Sequence, residues 1–284
     1  MINLPFLKMH GLGNDFVVID RRSGAPANGL FIGLNEARAI ADRHRGVGCD
    51  QVVLVDDPSD QGGDVFIRIF NSDGSEVSAC GNATRCVGSI LLEETGLDEA
   101  SIRTGAGLLV ARAGTEGLIS VDMGKPRFRW QDIPLIEEAE TLHLNLSLGP
   151  LSNPAAVNIG NPHATFFVED AEAIPLAEIG PLLEVNPIFP EQANIGVAEV
   201  KSAGRIRLRV WERGAGITLA CGTAACAAIA NSVRRELTEN SVTVEMDGGE
   251  LFINLRDNGH IDMTGPAENA FTGFLPEVVR NDQT

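Results

Sequence analysis

Two short segments of the same design decide the fold: Ala79-Cys80-Gly81-Asn82-Ala83 and Ala220-Cys221-Gly222-Thr223-Ala224. Each follows, at the same spacing, an apolar segment that contains arginine, Val65-Phe66-Ile67-Arg68-Ile69-Phe70 before the first and Ile206-Arg207-Leu208-Arg209-Val210-Trp211 before the second. The two cysteines lie 141 positions apart, close to half of the 284 residues. This spacing predicts a chain built from two copies of one unit.

Three further pairs of segments support the duplication. The pairs occur in the same order in both halves at offsets of 143, 147 and 140: residues 50–53 with 193–196, 13–14 with 160–161, and 121–123 with 261–263. One such match arises easily by chance, whereas four in the same order at nearly one offset do not. The predicted domains are therefore an N-terminal repeat over 1–124 and a C-terminal repeat over 125–266.

The local patterns of both halves mix strands and helices. Alternation with a period of two predicts strands, and capping glycines together with apolar runs predict helices. The expected strands are 52–55, 65–70, 108–111, 119–123, 164–168, 206–211, 242–246 and 251–255, and the expected helices are 34–44, 81–95 and 222–237. Residues 222–230 carry no charge and little bulk, and a helix that is apolar on all sides is buried on all sides.

These patterns define the expected fold class. We expect an α/β protein of mixed α+β type with two pseudo-symmetric repeats. Each repeat is a curled mixed or antiparallel sheet wrapped around a central helix, and the active site lies in the cleft between the repeats. Two ordinary layers of sheet and helix are the alternative that the sequence leaves open.

The composition limits the classes of function. The net charge of −17 argues against nucleic-acid and anionic-membrane partners, because like charges repel. No apolar run is long enough to span a membrane, and the N-terminal segment lacks the pattern of a signal peptide, so a cytoplasmic location is expected. Five cysteines without a C-x-x-C pair resemble neither a disulfide framework nor a zinc site, so we expect free thiols and no metal.

Cys80 and Cys221 stand apart from the other cysteines because each precedes a glycine at the start of a predicted buried helix. A helix N-terminus offers unpaired N–H groups and a partial positive charge, which lower a thiol pKa and bind a carboxylate. We expect Cys49, Cys86 and Cys226 to be packing residues, as buried free cysteines usually are.

Two thiols at repeat-related helix ends suit the inversion of a carbon centre. One thiolate removes a proton from the carbon beside a bound carboxylate, and the opposite thiol returns a proton from the other face. The helix-end N–H groups stabilise the enediolate that forms between the two steps.

Several motifs together resemble the diaminopimelate epimerase family. They are His10 through Phe16, Asn71-Ser72-Asp73-Gly74-Ser75-Glu76, Ala79 through Ala83, Gly160-Asn161-Pro162-His163, and Trp211 through Thr223. The resemblance runs from residue 8 to about residue 266. Proline racemases typically have histidine where this chain has Asn82, and phenazine-biosynthesis isomerases share the fold without the cysteine pair.

The resemblance implies that the chain interconverts LL- and meso-2,6-diaminopimelate in lysine and peptidoglycan precursor biosynthesis, without pyridoxal phosphate or another cofactor. It implies a homodimer, and a C-terminal segment 267–284 that returns to the N-terminal domain, with 271–275 as the candidate strand. Cys80 and Cys221 are the implied catalytic pair, and His163 and Glu212 are implied to influence activity. The implied substrate-binding residues are Asn14, Gln51, Asn71, Gly81, Asn82, Asn161, Asn194, Glu212, Arg213, Gly222 and Thr223.

Within that set, Arg213 fits the distal carboxylate of the substrate, because its guanidinium matches two oxygens. Simpler roles remain for several members: Asn14, Asn71 and Asn161 occupy turn sequences, and His163 follows a proline. Two other functions also remain open at this point. One is an epimerase for a different amino acid, and the other is a thiol sensor in which the two cysteines form a reversible disulfide.

Overall fold

The computed structural model describes residues 4–275. Outside the described residues lie 1–3 and 276–284. The first range is part of the N-terminal segment that was compared with a signal peptide, and the second is the end of the predicted C-terminal segment 267–284. Contacts between Cα atoms divide the described chain into two compact units, residues 4–121 with 265–275, and residues 122–264. The predicted domains 1–124 and 125–266 differ from these units by two or three residues at each boundary.

The first unit is a mixed sheet with two helices. Strands β1 and β2 are antiparallel, β2 and β3 parallel, β3 and β4 antiparallel, β4 and β6 parallel, and β6 and β7 antiparallel. The elements are β1 (Leu4–Gly11), β2 (Asn14–Asp20), α1 (Leu34–Ala41), β3 (Gln51–Asp56), β4 (Val65–Asn71), β5 (Glu76–Val77), α2 (Gly81–Thr95), β6 (Glu99–Thr104), β7 (Gly107–Ala113) and β8 (Ile119–Asp122).

The second unit repeats this pattern of pairing. Strands β11 and β12 are antiparallel, β12 and β13 parallel, β13 and β14 antiparallel, β14 and β16 parallel, and β16 and β17 antiparallel. The elements are β9 (Ser147–Leu148), β10 (Leu151–Ser152), β11 (Ala155–Asn158), β12 (Pro162–Val168), α3 (Leu176–Glu184), β13 (Asn194–Ser202), β14 (Arg205–Glu212), β15 (Gly216–Ile217), α4 (Gly222–Arg234), β16 (Ser241–Met246), β17 (Gly249–Leu255) and β18 (Ile261–Gly265). The predicted duplication is confirmed.

One helix lies at the centre of each unit. Helix α2 contacts β1, β2, β6 and β7, and α4 contacts β11, β12, β13, β14 and β17. Every residue of α4 from Ala224 to Ser232 is buried, as its small side chains predicted. The predicted fold class, a mixed sheet wrapped around a central helix in each repeat, is therefore confirmed.

The predicted helix bounds are correct at the N-terminal ends and for the whole of α2, where Gly96 ends the helix at φ 67°. Helix α1 ends at Ala41 rather than residue 44, because Asp42 leaves the helical conformation. Helix α4 ends at Arg234 rather than residue 237, and Glu236 adopts a positive φ of 57° soon afterwards. Helix α3 was not predicted, since Gly180 and Pro181 interrupt its pattern.

The last described strand, β19 (Glu268–Leu275), belongs to the first unit. It pairs antiparallel with β1 from Leu4↔Leu275 to His10↔Glu268, and it includes the candidate strand at residues 271–275. Because β1 also pairs with β2, β19 extends the sheet of the first unit on the far side of β1.

Candidate active site

Cys80 is the N-cap residue of α2, directly before the first helical residue, Gly81. Its backbone is extended, with φ −148° and ψ 117°, and its carbonyl accepts hydrogen bonds from the backbone N–H and the hydroxyl of Thr84, both at 2.9 Å. No side chain caps the helix, and its first turn carries no acidic residue. The N-terminal N–H groups of α2 are thus not neutralised by a carboxylate of their own helix, as a site for a ligand carboxylate requires.

The side chain of Asn14, at the start of β2, links Cys80 to the helix. Asn14 Oδ1 lies 3.9 Å from Cys80 Sγ and accepts a hydrogen bond of 3.1 Å from Asn82 Nδ2. Asn14 Nδ2 donates to Asp50 Oδ2 at 3.0 Å, which fixes the orientation of the amide. The structure therefore brings together three of the predicted residues, and it adds Asp50, which the sequence analysis missed.

Asp50 is itself held in a network with Asp15 and Arg43. The two residues exchange backbone-to-carboxylate hydrogen bonds of 2.9 and 3.1 Å, and Arg43 contacts both carboxylates at 2.7 Å. Burial favours the neutral form of Asp15, but hydrogen bonds from Arg43 and Lys8 outweigh it and hold the pKa of Asp15 below its usual range. The network keeps the carboxylate that orients Asn14 in one place.

Gln51 and Asn71 form a second pair, on neighbouring strands. They are partners in the β3–β4 register, and Gln51 Nε2 donates to Asn71 Oδ1 at 2.9 Å. Within residues 4–275 the buried carbonyl oxygens of Gln51 and Asn82 have no hydrogen-bond partner. Buried acceptors are normally satisfied, so these two oxygens fit a polar ligand such as an ammonium group.

Cys221 is the N-cap residue of α4, as Cys80 is of α2. Its backbone is extended, with φ −130° and ψ 110°, and the first turn of α4 again lacks acidic residues and a side-chain cap. Its Sγ lies 3.5 Å from Thr223 Oγ1, and only 5% of the residue surface is exposed.

The predicted lowering of the thiol pKa is wrong for Cys221. Burial and the negative charge of Glu212, which also accepts a hydrogen bond from the thiol, raise the pKa of Cys221 well above its ordinary value. The Thr223 hydroxyl and the Ala224 N–H at the helix end oppose this increase but do not outweigh it. The surroundings of Cys221 therefore favour the thiol form over the thiolate.

Asn161, His163, Asn194 and Arg213 form one connected group in the second unit. His163 Nε2 donates to Asn161 Oδ1 at 2.8 Å, and Asn194 pairs with His163 in the β12–β13 register. Asn194 Nδ2 donates to the Pro162 carbonyl at 3.0 Å, while its Oδ1 accepts the backbone N–H of Arg213 at 2.9 Å. The turn that carries Arg213 is thereby tied to the start of β13.

His163 is neutral in this setting. Burial and the positive charge of Arg213 lower the pKa of His163 to about 3. A neutral imidazole at physiological pH orients Asn161 and does not supply a proton.

The candidate site also contains Asp50 and Thr218, which the sequence marks only weakly. Asp50 directly precedes the predicted Gln51, and Thr218, whose hydroxyl donates to Glu212, lies in an ordinary turn sequence.

Within the described residues no group of three or more His, Cys, Asp or Glu side chains is arranged to hold a metal ion. No helix in residues 4–275 combines the length and apolarity needed to cross a membrane.

Two solved structures have the same fold as this chain. A hydroxyproline epimerase from Agrobacterium vitis aligns over 96% of this chain and 92% of its own with a TM-score of 0.69 at 18% identity. A PhzF-family phenazine biosynthesis protein from Bacillus anthracis aligns over 97% of this chain and 100% of its own with a TM-score of 0.69 at 19% identity. The chain thus shares its fold with both of these proteins.

Sequence comparison gives the particular family. The sequence model of the diaminopimelate epimerase family matches residues 6–129 and 155–269. A diaminopimelate epimerase from Acidiphilium cryptum is 55% identical over 95% of this chain and 96% of its own length, and one from Phenylobacterium zucineum is 53% identical over 96% and 98%. The chain belongs to the diaminopimelate epimerase family, and it is an isomerase of the amino-acid epimerase type.

Proposed function

We propose that the chain interconverts LL- and meso-2,6-diaminopimelate by a two-base inversion in which Cys80 and Cys221 are the acid/base pair. The observation that carries the proposal is the matched chemistry of the two cysteines. Each begins a central helix, in the same extended conformation, and each helix lacks an acidic residue in its first turn. Family membership supports diaminopimelate as the substrate, and with it a place in lysine biosynthesis.

The N-terminal N–H groups of the two helices bind the carboxylate beside the reacting carbon. Gly81, Asn82, Gly222 and Thr223 provide these groups, and the partial positive charge of a helix end favours an anion there. The same groups stabilise the negative charge that grows on the carboxylate oxygens when the α-proton leaves. Without such fixed dipoles, a carbon beside a carboxylate is too weak an acid to lose its proton to a thiolate.

The two cysteines exchange roles between the two reaction directions. The cysteine in the thiolate form removes the α-proton, and the cysteine in the thiol form donates a proton to the opposite face of the same carbon. Cys221 holds its proton in the absence of substrate, because burial and Glu212 raise its pKa. In the direction that uses Cys221 as the base, Glu212 accepts the thiol proton through the hydrogen bond between them.

The remaining polar side chains recognise the rest of the substrate. Arg213 is exposed and binds the distal carboxylate through its guanidinium. The amide oxygens of Gln51 and Asn82, which have no partner among the described residues, accept hydrogen bonds from ammonium groups. Asn14, Asn71, Asn161 and Asn194 complete the set of substrate contacts, and His163 acts by orienting Asn161.

Two broader features belong to the same proposal. We infer that the protein works in the cytoplasm, where its free thiols remain reduced. We also infer that it is a homodimer, as the family resemblance implies.

The test is incubation of the reduced protein with LL-diaminopimelate in heavy water, without added cofactor. We expect the meso product to carry deuterium at one α-carbon, because the returned proton comes from a thiol that exchanges with solvent. Cys80→Ala and Cys221→Ala should each abolish epimerisation. Cys86→Ala and Cys226→Ala are matched controls, because each changes a buried cysteine of the same helix, and they should remain active. Faster turnover of a monocarboxylic amino acid would contradict the substrate assignment.

A further inference from the structure

A buried carboxylate at the end of α3 holds the turn that carries Glu212 and Arg213. Glu184 is the last residue of α3, and 8% of its surface is exposed. Its Oε2 accepts a hydrogen bond of 2.6 Å from the indole Nε1 of Trp211, and its Oε1 accepts one of 2.8 Å from the backbone N–H of Gly214. Both oxygens are therefore occupied, one at each side of the Glu212–Arg213 pair.

The turn needs such an anchor because it lies at the exposed end of a strand. Strand β14 ends at Glu212, Arg213 and Gly214 are exposed, and Gly214 has a positive φ of 74°. Exposed turns are generally more mobile than the elements they join. Here one hydrogen bond to Asn194 and two to Glu184 fix the turn at Trp211, Arg213 and Gly214, on both sides of Glu212.

Helix α3 is shaped to receive Trp211. Gly180 lies four residues before Glu184, so both face the same side of the helix. A Cβ atom at Gly180 would lie 2.7 Å from Cγ and Cδ2 of the Trp211 ring, closer than carbon atoms approach. The absence of a side chain at residue 180 thus lets the indole reach the carboxylate.

Glu184 holds the turn through a buried carboxylate that forms no ion pair among the described residues. Within residues 4–275 the side chain of Glu184 makes hydrogen bonds to two neutral N–H groups, and no Lys, Arg or His forms an ion pair with it. Burying such a group costs free energy that an apolar contact avoids. What the carboxylate provides in return is a defined geometry, because two acceptors on one rigid group fix two donors at once.

We propose that Glu184 is a positioning residue for the epimerase reaction: it holds Trp211 and Gly214 so that Glu212 meets the Cys221 thiol and Arg213 meets the distal carboxylate of the substrate. The role of Arg213 in this statement rests on the proposed function. The contact between Glu212 and Cys221 is a feature of the protein itself.

The test is Glu184→Gln. A glutamine side chain has one oxygen, so it can accept from Trp211 or from Gly214, and its NH₂ group then faces the other donor. Displacement of catalytic groups by about 1 Å costs on the order of 100-fold in rate. We expect kcat/KM for diaminopimelate to fall by about 30-fold to 100-fold, and the pH profile of Cys221 alkylation to move to lower pH because Glu212 no longer contacts the thiol.

A double-variant cycle separates positioning from general destabilisation. Trp211→Phe removes one donor, so the glutamine of Glu184→Gln can then satisfy Gly214 without facing an N–H group. The effect of Glu184→Gln on kcat/KM should therefore be several-fold smaller in the Trp211→Phe background than in the wild type. Glu178→Gln changes an exposed glutamate of the same helix and should leave both readouts unchanged.

The outcomes are decisive in each case. A folded Glu184→Gln protein with wild-type kcat/KM and an unchanged alkylation profile would overturn the proposal. Should that variant fail to fold, Trp211→Phe alone tests the same point, and an unchanged alkylation profile there has the same meaning. The alkylation profile requires no turnover, so it tests the position of Glu212 even if diaminopimelate proves not to be the substrate.

Discussion

At the residue scale, the thiol of Cys221 hydrogen-bonds to the carboxylate of Glu212, and two negative charges are disfavoured at such close range. Glu212→Gln removes the carboxylate charge while keeping the size of the side chain. We expect the pKa of the Cys221 thiol to fall, so that iodoacetamide labels it at lower pH than in the wild type, as followed by peptide mass spectrometry. The exposed Glu239→Gln is the control, and identical profiles for wild type and Glu212→Gln would rule out the charge effect.

His163 gives a prediction about stability and pH. The unfolded chain binds a proton at this residue below about pH 6.5, whereas the folded protein binds it only below about pH 3. Between these values acidification favours unfolding, and above pH 6.5 the residue has no such effect. The wild type should therefore lose about 2 kcal/mol of unfolding free energy between pH 7 and pH 5 that His163→Gln does not lose. Urea unfolding at both pH values measures this, and equal losses in the two proteins would contradict the neutral, buried state of His163.

At the element scale, α4 depends on the small size of its side chains. Ala228 is fully buried in a helix that contacts five strands, so a larger side chain has no space. Ala228→Leu should lower the free energy of unfolding by about 1–3 kcal/mol, the usual cost of overpacking a core. Ala177→Leu in α3 is the control, since Ala177 is helical but exposed, and it should change stability by less than about 0.5 kcal/mol. Equal effects in urea unfolding would mean that α4 is not tightly enclosed.

The elements also show which parts of the site the sequence reveals. Helix α2 is predictable from end to end, because Gly96 ends it and its buried face is a continuous pattern. Helix α3 is not, because Gly180 and Pro181 break the pattern that marks a helix. The glutamate that anchors the Glu212–Arg213 turn was missed for this reason: its role depends on a tertiary contact with Trp211, which lies 27 residues further along the chain.

At the scale of the whole chain, the repeat was visible because both halves keep the same motifs in the same order. The pairing of strands then follows the same pattern in the two units. The effect of burial on the pKa of Cys221 could not be predicted from the sequence. The helix end beside Cys221 predicted a lower thiol pKa, but the sequence does not show that the sulfur is enclosed together with Glu212. Sequence motifs identify which groups lie close together, whereas the pKa values of those groups depend on how strongly the fold buries them.

The predicted homodimer is the property of the whole molecule that can be tested most directly. Phe271 and Phe274 on β19 leave 51% and 63% of their surfaces exposed, and large exposed apolar groups commonly mark an interface. We expect Phe271→Ser combined with Phe274→Ser to weaken association in sedimentation velocity, while Phe252→Ser, at an exposed phenylalanine of β17, does not.

The net charge sharpens this prediction. Each chain carries −17, so two chains repel each other, and salt screens that repulsion while leaving apolar contacts intact. The fraction of dimer should therefore rise between 0.05 M and 0.5 M sodium chloride at a fixed low protein concentration. A fraction of dimer that falls with salt would show that ion pairs hold the subunits together and that Phe271 and Phe274 lie outside the subunit interface. A chain that stays monomeric at every salt and protein concentration would contradict the homodimer itself.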